Sequence, residues 1–251
     1  MLALITATKN SGATLTDALD SLALVRPRIK SIFVDGHSTD DTYEVLEDYC
    51  RKFGNSVLSK QDGFGLYQAL NQGIALAVDD SEVSYIGFLH SDDSLIPAAF
   101  SRYIEFIDQI GGDFYFSGVE FRNSGGRIYR RWNPVPYSGF RLRSGWMPPH
   151  TTVVVSKSVY KRFGGFDPAY GSAADYEWLV RVLKPGEIDA HCFNERILIM
   201  NGGGASSQSL RARLRANTMD GRAWHGSSLL FQMFIRLAKP TRKMGQYFRI
   251  G

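Results

Sequence analysis

Residues 85–93, Tyr-Ile-Gly-Phe-Leu-His-Ser-Asp-Asp, decide how this chain is read: a short apolar run ends abruptly in two carboxylates. Tyr85 to Leu89 is too brief for a helix and follows the acidic Asp79, Asp80 and Glu82, so it reads as a buried strand. Asp92 and Asp93 then fall at the strand's C-terminal end. In open α/β sheets ligands bind at that edge, and a carboxylate pair there suits a divalent cation on a phosphorylated substrate. The local alternative is that Asp93 or Ser94 caps a helix starting near Pro97.

Upstream of this stretch, strands and helices alternate. Leu2 to Thr6 reads as a first strand, broken by Lys9-Asn10-Ser11-Gly12. Leu15, Ala18, Leu19, Leu22 and Ala23 mark one face of a helix that ends before Pro27. A second strand, Ile29 to Val34, also ends in an acid, Asp35, and the turn formers after it lead to a helix marked by Val45, Leu46, Tyr49, Cys50 and Phe53. Val57 to Ser59 is a third strand. Gln61-Asp62-Gly63-Phe64-Gly65 follows as a loop whose glycines permit close approach to a ligand, and Leu66, Ala69, Leu70, Gly73, Ile74, Ala77 and Val78 mark the next helix. This alternation predicts a doubly wound parallel sheet. With no GxGxxG after the first strand and no GxxxxGK[ST], any nucleotide is held by other means.

Downstream, a helix over Pro97 to Ile110 leads to a strand at Phe114 to Arg122. Asn123-Ser124-Gly125-Gly126 then turns into Ile128 to Trp132, so the sheet becomes mixed. Asn133 to His150, rich in Pro, Gly and aromatics, reads as a long functional loop without a stable element. Thr151 to Val155 resumes as a strand. Ser172 to Glu177 opens a helix carried by Trp178, Leu179, Val182 and Leu183, where Asp175 either only stabilises the helix start or does chemistry. Ile197 to Met200 is the last strand, closed by Asn201-Gly202-Gly203-Gly204.

At 251 residues with net charge +4, the chain is long enough for a full core. Cys50 and Cys192 have no ligand spacing, which argues against a disulfide framework or zinc site and fits a reducing, cytoplasmic setting. MLALITATKN reads as a strand and not a signal peptide, and no apolar stretch reaches the roughly twenty residues of a membrane span. Basic residues crowd the end: Arg211, Arg213, Arg215, Arg222, Arg236, Lys239, Arg242, Lys243 and Arg249 face only Asp220. With Leu229, Leu230, Met233, Phe234 and Leu237 they form a basic amphipathic segment suited to an anionic membrane surface. The alternative is a terminal helix packed on the core with its charges solvated. No nucleic-acid module surrounds these charges.

Together these stretches resemble the inverting family-2 glycosyltransferases of the GT-A fold, in particular bacterial enzymes that build lipopolysaccharide and capsule sugars. The similarity runs in order through ITATKNSGATLTDALDSL, IKSIFVDGHSTDDT, DGFGLYQALNQGIALA, FLHSDD and GGFDPAYGSAADYEWLVR. It implies a single Rossmann-like mixed α/β sheet flanked by helices over 1–205, with a nucleotide-binding half (1–110) and an acceptor half (111–205), and a helical extension over 206–251. The implied activity is a metal-dependent inverting hexosyltransferase, moving a sugar from a nucleotide-diphosphate donor to a glycan or lipid-linked acceptor at the inner face of the plasma membrane. Asp93 is implied as the ligand of Mg²⁺ or Mn²⁺, and Thr6, Asp35, Asp62, Asn71, Ser91 and Asp92 as nucleotide-sugar contacts. Asp175 matches the position of the family's base, with Glu177 as the alternative, and Trp146, His150, Glu177 and Gly203 are placed on the acceptor or phosphate side.

Three positions depart from the family pattern. Gly36 follows Asp35 where many relatives have a second acid, Lys9 replaces an aromatic residue, and His90 stands where Asn is common. The first two lie near the nucleobase in the family, so uridine is the expected base with guanosine and thymidine open. A sugar-phosphate nucleotidyltransferase is a rival reading, but SGAT after strand one lacks the expected Gly-rich basic loop. A non-catalytic nucleotide-sugar or carbohydrate binder is the other, and it gives Asp175 no task. The identities of the sugar, acceptor and linkage do not follow from these residues.

Overall fold

The computed structural model describes residues 1–26, 28–123, 125–201 and 218–244. Its first half is the expected β/α alternation: β1 (Leu2–Thr8), α1 (Leu15–Val25), β2 (Ile29–Asp35), α2 (Thr42–Lys52), β3 (Ser56–Lys60), α3 (Leu66–Asp79) and β4 (Tyr85–Phe88). These four strands are parallel in the order β3-β2-β1-β4, with Thr8 beside Asp35 and Ile5 beside Phe88. Side chains alternate faces along a strand. Leu2 and Leu4 therefore pack with Leu15, Leu19 and Leu22 of α1, while Ala3 and Ile5 face Leu70, Ile74 and Ala77 of α3. At Gly73 the helix lies so close to β1 that any Cβ would overlap Ile5.

The second half is mixed: β5 (Asp93–Leu95), α4 (Pro97–Ile110), β6 (Phe114–Arg122), β7 (Ile128–Trp132), α5 (Gly139–Arg143), β8 (Val154–Ser156), α6 (Lys157–Phe163), α7 (Ala174–Leu183) and β9 (Ala190–Asn201). Among the described residues one nine-stranded sheet continues from β4 through β8, β6 and β9 to β5, with β7 paired to the outer part of β6. β8 is antiparallel to both β4 and β6, β9 is parallel to β6, and β5 is antiparallel to β9. Asp93 is thus itself a strand residue, opposite Met200. It does not cap α4, whose N-cap is Ile96 without a side-chain bond, Pro97 occupying the first turn.

Two expectations are corrected here. The 133–150 stretch contains α5, capped by Ser138, whose Oγ accepts from Arg141 N–H at 3.2 Å, and its Leu142, Trp146 and Met147 are buried. The last strand is twelve residues long, because β9 continues back to Ala190 through polar residues that the apolar criterion passed over. The C-terminal segment also adds to the core. Residues 218–222 are helical, and α8 (Leu229–Met244) follows. Trp224 is buried, with Nε1 donating to Tyr176 Oη at 3.0 Å, and Ile235 is buried in the same cluster. Lys239 Nζ lies over the Tyr176 ring at 3.6 Å and bonds Asp220 Oδ1 at 2.5 Å.

Over residues 229–237 the outer side of α8 stays apolar and in water. Leu229, Leu230, Met233, Phe234 and Leu237 are 50–79 % exposed. Arg211, Arg213, Arg215 and Arg249 lie outside the described residues. Among the described residues no helix is long and apolar enough to cross a membrane.

Candidate active site

The C-terminal ends of β1, β2 and β4 open onto a common edge, and the loops after them are braced together. Asp35, the last residue of β2, is 2 % exposed. Its carboxylate accepts from Thr8 Oγ1 at 3.2 Å, Ser38 N–H at 2.9 Å and Ser38 Oγ at 2.5 Å. Ser91 Oγ lies 3.0 Å from Ser11 Oγ, which ties the loop after β4 to the loop after β1. Thr6 is buried, and its hydroxyl has no hydrogen-bond partner. Asp62 is exposed in the loop after β3, with its N–H donating to Gln72 Oε1 at 2.7 Å. Gln61 closes that loop by donating from Nε2 to Gly65 O at 2.9 Å.

The paired carboxylates occupy unlike environments. Asp92 is half-buried, and its carbonyl accepts from Asn201 Nδ2 at 3.0 Å. Asp93 is 1 % exposed, and its Oδ2 has no hydrogen-bond partner. Burial, reinforced by the neighbouring Asp92 charge and opposed by the Asn201 N–H, pushes the Asp93 carboxyl up to about 8. Among the described residues no positive charge offsets the Asp93 carboxyl. A divalent cation meets that need, so the residues present fit Mg²⁺ or Mn²⁺ held by one or two carboxylates with water and substrate phosphate completing the shell. Among the described residues no cluster of three His, Cys, Asp or Glu side chains gathers as a ready-made metal site.

Across the edge stands Asp175, in the first turn of α7, with its side chain 14 % exposed. Oδ1 accepts the Tyr176 N–H at 2.8 Å, and Oδ2 lies 3.2 Å from His150 Nδ1. His150 Nε2 in turn lies 3.3 Å from His90 Nε2. Desolvation of His90, aided by His150, pushes its ring down to about 4, so it is neutral near pH 7. Tyr67, packed on Phe166 with ring centroids 5.3 Å apart, lies against the Asp175 backbone, and burial raises its phenol far above the ordinary range. Sequence reasoning missed Tyr67 and gave His90 no role. The only signal for His90 was its place beside Ser91, Asp92 and Asp93.

Other expected contacts have different surroundings. Glu177, two residues from Asp175, points away into the core: it is 3 % exposed, and its two oxygens accept from Arg181 Nε and Nη2 at 2.8 Å each. It is therefore not placed to be a base. Trp146 is buried against Phe116, ring centroids 5.6 Å apart. Asn71 braces the main chain: Nδ2 donates to Phe166 O and Oδ1 accepts Phe166 N–H, both at 2.8 Å. Gly203 lies outside the described residues.

Comparison with known proteins shows the family and the fold. The model of glycosyl transferase family 2 matches residues 3–164. The chain belongs to that family. An uncharacterized glycosyltransferase of Mycobacterium tuberculosis is 32 % identical over 158 residues, covering 62 % of this chain and 58 % of the relative. The chain thus aligns with little more than half the length of that relative. A PGL/p-HBAD biosynthesis glycosyltransferase of Mycobacterium bovis is 26 % identical over 193 residues, covering 73 % of this chain and 70 % of its own. The fold of this family-2 chain is that of GT-A enzymes. S. aureus TarS 1-349 in complex with UDP-GlcNAc superposes with a TM-score of 0.71 at 18 % identity, over 100 % of this chain and 76 % of that one. A Pyrobaculum calidifontis mannosyltransferase in complex with GDP-Man and Mn²⁺ gives 0.64 at 14 % identity, over 95 % and 68 %.

Proposed function

We propose that this family-2 glycosyltransferase moves a sugar from a nucleoside-diphosphate sugar to a hydroxyl of a glycan or lipid-linked acceptor, with inversion, and that Asp175 is the base. The observation that carries this reading is the Asp175 carboxylate, held on both oxygens at the start of α7 and linked through His150 and His90 to the loop bearing Asp92. Asp175 takes the acceptor's hydroxyl proton as that oxygen attacks the anomeric carbon. The bond from that carbon to the diphosphate oxygen breaks, and the diphosphate leaves with the electron pair. Asp92 and Asp93 would hold Mg²⁺ or Mn²⁺, which supplies charge neutralisation for the leaving group. The loops after β1, β2 and β3 form the nucleoside side. Uridine is the proposed base, supported by the UDP-GlcNAc complex of TarS, with guanosine the rival raised by the GDP-Man complex.

The proposed setting is the anionic inner face of a membrane in polysaccharide or glycolipid synthesis. Residues 206–251 hold nine Lys and Arg against one acid, so 1–205 carries −4 of the chain's +4 total. The exposed apolar face of α8 supports peripheral contact through this segment. The test of the catalytic assignment is Asp175→Asn, assayed as nucleoside diphosphate release from UDP-GlcNAc and GDP-mannose. Release falls below a hundredth of wild type while diphosphate binding is retained. Unchanged release in that variant removes Asp175 as the base.

A further inference from the structure

We propose that His150 is the positioning residue for Asp175, and that His90 locks His150 in place, tying the base to the loop that carries Asp92. The inference rests on Asp175 being the base and adds how it is aimed. A free Asp rotates about two torsions, whereas a carboxylate held on both oxygens keeps one direction for its remaining lone pairs. Tyr176 N–H holds Oδ1 and His150 Nδ1 holds Oδ2.

The contact between the two rings sets the tautomers. Two imidazole nitrogens 3.3 Å apart need one N–H and one bare lone pair between them. Where His150 donates from Nδ1 to Asp175 and leaves Nε2 bare, His90 Nε2–H is the donor. The order of donation then runs from His90 through His150 to Asp175, with each ring fixed at one end by the next. This also accounts for histidine at position 90. From the end of β4 its ring reaches across to His150, which precedes β8, the strand hydrogen-bonded to β4.

Two measurements on the full chain test this. In the unliganded protein, long-range ¹H–¹⁵N NMR shows protons on His150 Nδ1 and His90 Nε2, and Asp175→Leu shifts His150 toward the Nε2–H form. A bare His150 Nδ1 in the wild type, or no change in Asp175→Leu, overturns the proposal. In kinetics with UDP-GlcNAc and GDP-mannose, His150→Leu lowers kcat at least tenfold while diphosphate binding stays within twofold. His150→Asn, whose amide nitrogen takes the place of Nδ1, recovers most of that loss, and His90→Phe combined with His150→Leu adds nothing further. A His150→Leu enzyme within twofold of wild-type kcat, or an Asn variant no better than Leu, refutes the positioning role. If Asp175→Asn itself keeps full activity, it is the base assignment that fails. If the wild type releases no diphosphate, the NMR result alone decides the hydrogen-bond order.

Discussion

Glu177→Gln separates two acids that lie on one turn of α7 and that sequence treats as near equals. Glu177 is inside the protein, and both its oxygens receive Arg181, which also bonds Phe163 O and Gly165 O, the latter at 2.9 Å. The Gln oxygen can keep the Nε bond, but its NH₂ meets the Nη2 donor, and the guanidinium loses its counter-charge. Removing one partner of a buried pair costs about 3–5 kcal/mol. Arg181's side chain is 28 % exposed, so part of its charge is relieved by water and the lower end, about 3 kcal/mol, is expected. For a domain of this size about 1 kcal/mol lowers Tm by roughly 2–4 °C, which gives a drop of roughly 6–12 °C. The assay is thermal melting beside kcat measured well below the new Tm. A Tm within 2 °C of wild type with activity reduced a hundredfold refutes the reasoning and returns Glu177 to the chemistry.

Asn71→Leu leaves Phe166 N–H and C=O unpaired in a buried segment, and at about 1–3 kcal/mol per lost partner the folded variant loses about 2–6 kcal/mol in denaturant titration. Retained diphosphate binding distinguishes bracing from donor contact. In metal-free buffer the raised Asp93 carboxyl makes the folded state bind a proton more tightly than the unfolded chain, whose Asp titrates near ~3.9. Its stabilising contribution is full below that value and is lost as pH rises toward about 8. Asp93→Asn therefore flattens the fall of Tm between pH 5 and 8.5, and parallel curves for the two proteins contradict the buried-acid assignment. Leu230→Glu with Phe234→Glu, both on the exposed side of α8, abolishes pelleting with phosphatidylglycerol vesicles at low salt while leaving Tm within 2 °C; equal pelleting refutes membrane contact.

Much of the frame was legible because its signals are local. The apolar runs at Ile29 and Tyr85 and the stripe over Leu66 to Val78 appear as β2, β4 and α3, and α4 and β6 carry the expected limits. β9 was only partly legible, since its polar half is held by pairing along β6 and not by its own apolarity. The site divides similarly. Acids at strand ends can be seen in sequence, but which ones are enclosed cannot: Asp35 is wrapped by Thr8 and Ser38, and Glu177 by Arg181, through contacts that only folding creates. His90 and His150 are sixty residues apart, and no spacing rule joins them. The tail shows the same limit, because its apolar residues populate two faces of α8, with Ile235 packed inward and Leu230 left in water.

Thermal stability against UDP, GDP, dTDP and CDP, each with and without Mn²⁺, tests the proposed donor site at the ends of β1, β2 and β4. A ligand that binds only the native state at 100 times its Kd stabilises by about 2.7 kcal/mol, or roughly 5–11 °C here. UDP with Mn²⁺ gives such a shift, and Asp92→Asn and Asp93→Asn each abolish it. No shift with any diphosphate, with or without metal, contradicts that site.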